Sequence, residues 1–564
     1  MGVCVLAIGM WPVGPVFGQG SHVLTDRARN GVVWEAPPME RAARLELDRM
    51  AAAGVTAVRT KAPLPGPGTL AYADSLGITV ALDLPLSALT ARQLRAATDT
   101  LGPFLDRLAG DVRSAGVRVA VGLGIAHDTT VPATCDALEG LAGRVRDRLP
   151  EATIYYVTPF RPETDRCAPA VDVVAVDLRD LPDPVARFEA WRQAASRPVV
   201  IGALGTWVQP TAEAGLAVPH SPEGQARDLE RHLAHWRPDP SDPWVAHARS
   251  QPVDRAPGSS AATPTLFVAR WQDRDGALDR QYGVHTAQGE ARPAARVLRG
   301  VYRGEQHVYA FPRGIPPTPS VPWGVLLGWV LLGTVAATYA RRPLFQRAAS
   351  RYFLAHGFYC DSVREGRETL PTVHALLLGV VSVATGTVVA TVLDALEPAV
   401  ALGRVVEALP SVPAAWVAVA VQQPLSAGLW ASIATAGALL LWGGALALVS
   451  RQWRALRADQ MLMLVTWPCW PVLLWMIAGL VVASSFEGGA PVAAGAIAGG
   501  AWVTAAISAT RVLRDVRSVT GMPGGVVAAL GLLSPAATIM GMSALLGTQL
   551  DVSITLLWHL FSRT

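Results

Sequence analysis

Lysine is almost missing from this chain: of 48 basic side chains, all but Lys61 are arginine. That skew carries no functional reading by itself. Charge of either sign is scarce, at 16% of residues, and the totals nearly cancel to a net of +4. A nucleic-acid footprint needs a concentrated basic excess, so no nucleic-acid partner is expected. Cysteine is scarce too. Cys4, Cys135, Cys167, Cys360 and Cys469 show no metal-ligand spacing, so neither a metal nor a cofactor is expected. Cys135 and Cys167 fall in a charged, soluble stretch, where a disulfide is open to them if that stretch is exported.

What the chain has in excess is apolar surface, 51% of its 564 residues, and the excess is uneven. Before Pro316 charges recur every few residues; after Val321 long stretches carry none. Four segments follow: a signal-peptide-like leader at 1–20, a soluble domain at 30–300, a closing segment with a proline-rich tether at 301–320, and a membrane domain at 321–564. The leader is apolar from Val3 to Gly20 and ends in small residues, although no Lys or Arg precedes it. Spans of near 20 apolar residues are expected at Trp323–Tyr339, Val373–Leu393, Leu429–Val449, Met461–Ala483, Val492–Ala509 and Val526–Leu546. Asp551–Phe561 is too short to span and is expected at the membrane interface.

Orientation follows from the linkers. Arg341, Arg342, Arg347, Arg351, Arg364 and Arg367 lie between the first two spans, Arg451, Arg454 and Arg457 between the third and fourth, and Arg511, Arg514 and Arg517 after the fifth. The alternate linkers contain one basic residue, Arg404. The positive-inside rule then sets the N-terminal domain on the periplasmic or extracellular side of a multi-pass protein, as in a bacterial inner membrane. The span cores hold essentially no ionisable groups, so the bundle reads as an anchor or assembly platform rather than a pore. Pro468 and Pro471 are placed to kink the fourth span, and the small residues from Ala494 to Gly500 allow close helix packing.

From Asn30 to about Asp273, β-branched runs alternate with amphipathic helical stretches. Strands are expected at Gly31–Trp34, Thr56–Arg59, Thr79–Leu82, Arg118–Leu123, Thr153–Val157, Val171–Val176, Pro198–Ile201 and Thr265–Arg270. Eight strands in that length match an α/β (β/α)8 TIM barrel, here followed by an all-α transmembrane helical bundle. A doubly wound open sheet is the alternative, but Trp34-Glu35-Ala36-Pro37-Pro38 is not the Gly-rich turn such a fold wants. Barrel chemistry sits at the C-terminal strand ends. Those ends read Glu35, Arg59, Asp83, His127 with Asp128, Thr158, Asp177, Trp207 with Gln209, and Trp271 with Asp273. Carboxylates for hydroxyls and indoles for sugar C–H faces suit a polysaccharide or oligosaccharide ligand. Asp83 and Asp128 serve equally well as loop or cap residues.

Several passages resemble the barrels of clan A glycoside hydrolases, especially the family-two β-galactosidase and β-glucuronidase type. They are Leu45–Met50 leading into Ala53-Gly54-Val55-Thr56-Ala57-Val58-Arg59, Ala71–Val80 followed by Asp83-Leu84-Pro85, Arg197–Gly202, and Gln281-Tyr282-Gly283-Val284 with Arg292-Pro293-Ala294. The resemblance implies two catalytic glutamates, an acid/base after the fourth strand and a nucleophile after the seventh. In Gly122-Leu123-Gly124-Ile125-Ala126 and Ile201-Gly202-Ala203-Leu204-Gly205 those positions are Ala126 and Ala203. A methyl group neither donates a proton nor attacks an anomeric carbon. Three readings stay open: a non-catalytic relative that binds glycan or another envelope protein; an active glycosidase or transglycosidase using relocated carboxylates among Asp128, Asp177, Asp83 and Glu35; and a sensor or assembly protein whose membrane half carries the function. By strand periodicity Asp128 would share a face with Ala126. In the binding readings Arg59, His127, Trp207, Gln209, Trp271 and Asp273 line the cleft.

Overall fold

The computed structural model describes residues 22–26, 29–86, 90–125, 127–209, 212–237, 263–273, 280–316, 323–367, 370–396, 400–409, 411–485, 490–541, 556 and 558–560. The expected leader, Ala126, most of the loop before the last strand and the second half of the tether lie outside the described residues.

Eight parallel strands close into a barrel in sequence order: β1 (Asn30–Trp34), β2 (Ala57–Lys61), β3 (Thr79–Asp83), β4 (Ala120–Ile125), β5 (Thr153–Thr158), β6 (Val173–Asp177), β7 (Val199–Leu204) and β8 (Leu266–Val268). Leu266 pairs with Asn30 to seal the ring. The closure excludes the open-sheet alternative. It also explains the near-continuous apolar strands, because parallel strands between a filled interior and covering helices are buried on both faces. In β5, Thr-Ile-Tyr-Tyr-Val-Thr is buried throughout. Ala57, Ala81, Ala120, Tyr155, Val157, Val173, Ala175, Val200 and Phe267 fill the interior. Leu24, from a helical turn at Val23–Asp26, joins them at the N-terminal end, where Thr265 donates to its carbonyl.

The covering helices are α1 (Glu40–Ala52), α2 (Pro67–Ser75), α3 (Ala91–Thr100), α4 (Gly102–Ala115), α5 (Pro132–Arg148), α6 (Pro184–Ala194), α7 (Pro222–Trp236) and α8 (Pro293–Arg303). Helices α3 and α4 divide at Leu101, because Gly102-Pro103 opens a new first turn and proline cannot continue the earlier hydrogen-bond ladder. The last strand region also divides: β9 (Arg270–Gln272) leaves the barrel after Ala269 and pairs with β10 (Gly283–His285). Past α8, residues 305–316 run as irregular chain. Its tether end is pinned where Leu216 and Ala217 donate to the carbonyls of Pro312 and Arg313.

The second half is helical: α9 (Trp323–Arg341), α10 (Pro343–Leu354), α11 (His356–Glu365), α12 (Pro371–Leu396), α13 (Val400–Ala408), α14 (Ser411–Gln422), α15 (Pro424–Ser450), α16 (Ala458–Thr466), α17 (Val472–Ser485), α18 (Ala490–Thr520) and α19 (Gly524–Leu532). Five segments are long and apolar enough to cross a bilayer, and a sixth is a bent pair, Gly524–Leu532 with Pro535–Gly541 at 56°. They suggest a multi-pass membrane protein. The break between α16 and α17 falls at Pro468 and Pro471, as the sequence implies, and Ser508 donates to the Pro468 carbonyl across it. Close packing lies mainly elsewhere than expected. α12 meets α15 at Gly386 and Gly428, where a Cβ on Gly386 would stand 2.2 Å from the Gly428 carbonyl oxygen. Of the small-residue run, Gly500 is pressed under Trp475. Helix α18 runs past the expected Ala509 to Thr520, so Arg511, Arg514 and Arg517 are helical rather than in a loop. Arginine favours helix, and apolar content alone marks only the buried part of such an element.

Candidate functional site

The interior just below the rim is closed by a buried polar knot. Arg59 of β2 donates through Nε to Asp83 of β3 at 2.8 Å and through Nη1 to the Gly202 carbonyl of β7. Tyr155 of β5 donates to the other Asp83 oxygen at 2.6 Å. Gly122 must be glycine here, since a Cβ would lie 2.3 Å from Asp83 Oδ1. Burial and the neighbouring Asp83 carboxylate push the Tyr155 hydroxyl well above its ordinary range, so it stays a donor. Arg59 and Asp83 are therefore committed to each other, with exposures of 4% and 3%.

At the end of β4 the chain departs from the expected extended path. Gly124 has φ 118°, a conformation open to glycine, and the strand ends at Ile125. His127 folds back with Nε2 3.0 Å from the Leu123 carbonyl. Strand periodicity consequently does not carry through to Asp128. Its Oδ1 accepts from the Thr130 hydroxyl at 2.5 Å and from the Thr130 amide at 3.3 Å, which is the turn role open to it from the sequence. Its Oδ2 lies 2.8 Å from Nδ1 of His559, a residue 431 positions away in the membrane half.

Beside it sits Asp165, which sequence reasoning missed. It accepts from Thr129 (2.5 Å), Thr158 (2.7 Å), Tyr156 (2.7 Å) and the Cys167 amide (3.0 Å). Burial raises its carboxyl and these donors partly offset that. Cys167 is joined to Cys135 of α5, with Cα atoms 4.7 Å apart. This disulfide ties the β5–β6 connection to the helix after β4.

Asp177, at the end of β6, is gripped by Arg179 through Nε (3.0 Å) and Nη2 (2.8 Å). Arg404 of α13 approaches from the membrane half. Its Nε is 3.8 Å from the Asp177 carboxylate, and its terminal nitrogens donate to the carbonyls of Asp177 (3.3 Å) and Pro159 (3.4 Å). Burial alone would raise the Asp177 carboxyl, but the guanidinium groups of Arg179 and Arg404 hold it far below the usual range. Around these contacts Phe160, Val405, Leu556 and Leu560 form a small apolar seal. The C-terminal residues expected at the membrane interface thus lie on the barrel rim where they are described.

Ala203 of β7, where the sequence resemblance implies a nucleophile, packs with Trp207, Ala269 and Tyr282. Trp207 is buried, with His220 stacked on it at 3.9 Å and the Arg280 guanidinium 5.1 Å from its ring. Asp180 accepts from the Trp207 amide and the Tyr282 hydroxyl and pairs with Arg280 at 3.3 Å. Trp271 is buried against His285 at 4.4 Å. Asp273 pairs with Arg292 at 2.7 Å and accepts from the Gly283 amide, which fixes β10. Glu35 and Gln209 are exposed.

The rim therefore unites Asp128 and Asp177 with an imidazole and a guanidinium of the membrane half, while Asp83 and Arg59 lie in the barrel interior. Each of the three buried candidate carboxylates, Asp83, Asp128 and Asp177, faces a guanidinium or an imidazole. Arg404 carried one sequence signal, as the sole basic residue of the alternate linkers. His559, Tyr155 and Asp180 carried none.

No family model and no curated protein matches the chain. Among solved structures it is similar to a GH2 β-galacturonidase from Eisenbergiella tayi bound to galacturonate, at 14% identity and TM-score 0.39, over 50% of this chain and 52% of that one. It is similar to a β-D-glucuronidase of Dictyoglomus thermophilum at 11% identity and TM-score 0.39, over 50% and 51%. A third is a Bifidobacterium dentium β-glucuronidase complexed with coumarin-3-O-glucuronide, at 14% and 0.39, over 49% and 46%. The chain spans about half the length of these proteins.

Proposed function

We propose that the chain is a membrane-anchored, exported glycoside-hydrolase-like barrel that binds a glycan or a cell-envelope partner without hydrolysing it. One observation carries this reading: the end of β7, where a retaining glycosidase of this type needs its nucleophile, holds Ala203 in an apolar cluster. The other candidate carboxylates support it. A glycosidase needs one carboxyl to hold a proton and another free to attack or to activate water. Asp177 is instead locked ionised between two arginines, Asp83 is shared between Arg59 and Tyr155, and Asp128 closes a turn. Export is supported by the arginine-rich linkers and by the Cys135–Cys167 bridge, since such bonds persist in oxidising compartments.

The test uses the full chain in detergent with aryl β-glycosides and β-linked oligosaccharides. No turnover is expected, with saturable glycan or partner binding weakened by Trp207→Ala. Turnover abolished by Asp128→Asn would establish the relocated-carboxylate enzyme instead. The contacts of Arg404 and His559 favour a second reading, an assembly or sensor protein whose barrel serves as a docked outer domain. Absence of any glycan binding, with Trp207→Ala and Trp271→Ala silent in cells, selects it.

A further inference from the structure

Far from the barrel, α11 and the end of α18 bring three unlike donor groups together. His356 and Cys360 are four residues apart and so share one face of α11. Asp515 projects toward them from α18. One ligand atom from each of the three lies within 4.8 Å of the others, and His356 Nε2 is 2.8 Å from Asp515 Oδ1. We propose that His356, Cys360 and Asp515 form a zinc site.

Three features point to a cation rather than a plain hydrogen bond. Asp515 is 2% exposed, yet its Oδ2 has no hydrogen-bond partner among the described residues. A buried carboxylate oxygen left so is costly, and a metal ion would satisfy it. His356 Nδ1 stands 3.3 Å from the Tyr352 carbonyl, its natural acceptor. That contact gives Nδ1–H an acceptor whenever Nε2 binds a metal, the arrangement common to metal-bound histidines. Finally, the donor set is mixed: thiolate, imidazole and carboxylate together suit zinc, whereas magnesium and calcium take oxygen ligands.

The surroundings are compatible. At about 1.5 Å per residue the 28-residue span Ala493–Thr520 exceeds the roughly 30 Å of hydrocarbon, so Asp515 falls at its polar end. The His356 side chain is 39% exposed, which gives an entry path and leaves the fourth position of a tetrahedral site to water. Arg511 and Arg514 are near Asp515 and oppose a bare dication. One thiolate and one carboxylate cancel the two positive charges, so the assembled centre is neutral.

The experiment uses the full chain in detergent, stripped with chelator and titrated with Zn2+, and with Co2+ as a spectroscopic substitute. About one equivalent of zinc should bind, and Co2+ should give a thiolate-to-cobalt charge-transfer band. Peptide mapping after alkylation should show Cys360 protected by zinc and Cys469, the other free cysteine described, not protected. Cys360→Ser should remove the band, and Asp515→Asn, which removes a direct ligand, should weaken binding by at least about ten-fold. If a variant misfolds, the wild-type band and the protection pattern still decide. A folded wild type without the band, or with Cys360 alkylated equally fast in zinc, overturns the site and leaves a His–Asp hydrogen bond.

Discussion

The polar knot below the barrel rim makes a demanding prediction, since the same residues were candidates for substrate binding. Replacing Asp83 with asparagine preserves shape but leaves the Arg59 guanidinium without its counter-charge at 4% exposure. Breaking one side of a buried ion pair costs about 3–5 kcal/mol. The lower end applies, because the amide oxygen still accepts from Arg59 and the Gly202 carbonyl remains an acceptor. At roughly 2–4 °C per kcal/mol for a domain of this size, the barrel should melt about 6–12 °C earlier. The reading is intrinsic tryptophan fluorescence or near-ultraviolet circular dichroism in detergent, against an unchanged membrane half. The double change Arg59→Met with Asp83→Leu should recover most of the loss, since an apolar pair replaces a desolvated ionic one. Recovery should be incomplete, because the Tyr155 hydroxyl then lacks its acceptor. A fall below about 1 kcal/mol in Asp83→Asn would refute the frame role. Unchanged melting with weakened glycan binding would return both residues to the ligand site.

Three further outcomes follow from the rim. Arg404→Gln removes a buried cation that bonds two carbonyls, worth about 1–3 kcal/mol; amide exchange across Val400–Ala408 should speed up by about fivefold or more, and an unchanged rate would deny the docking. Asp177 has a depressed carboxyl, so its contribution to stability is full above the unfolded value of about 3.9 and is lost as pH falls below that. Urea melts at about pH 5 and pH 3 should therefore show a steeper acid loss in the wild type than in Asp177→Asn, and parallel losses would contradict the pairing. A protease site added after Thr564 should be cut from the side of the membrane that exposes the barrel, as the contacts of His559 require.

The sequence made the barrel legible because each strand is a β-branched run buried on both faces and bounded by turn residues. Ends were harder. Asp128 was placed by extending the period of β4, but Gly124 takes a backbone path that ends the strand at Ile125. A glycine signals that freedom without saying whether it is used. The partners of the rim carboxylates were out of reach for a different reason. Arg404 and His559 lie 227 and 431 positions from the groups they meet, and no local pattern encodes such a pairing. Asp165 was missed because a lone aspartate in a loop resembles any turn residue until four donors surround it.

The two distant contacts also constrain each other. Residues 400–408 follow two candidate spans, and residues 556–560 follow five plus the bent pair. Both meet the same, C-terminal end of a barrel that precedes every span. A chain that starts on one side returns to it only after an even number of crossings. If the five long helices each cross, a bent pair that crosses brings His559 back to the side of Asp128, whereas a shallow re-entrant turn would leave it on the far side. Read by the positive-inside rule, the arginine distribution sets residues 511–517 on the side opposite the barrel, which agrees with a further crossing before His559. Charge bias and the seating of His559 on Asp128 are independent of each other, and an anchor that holds the mouth of its own barrel is the arrangement that satisfies both.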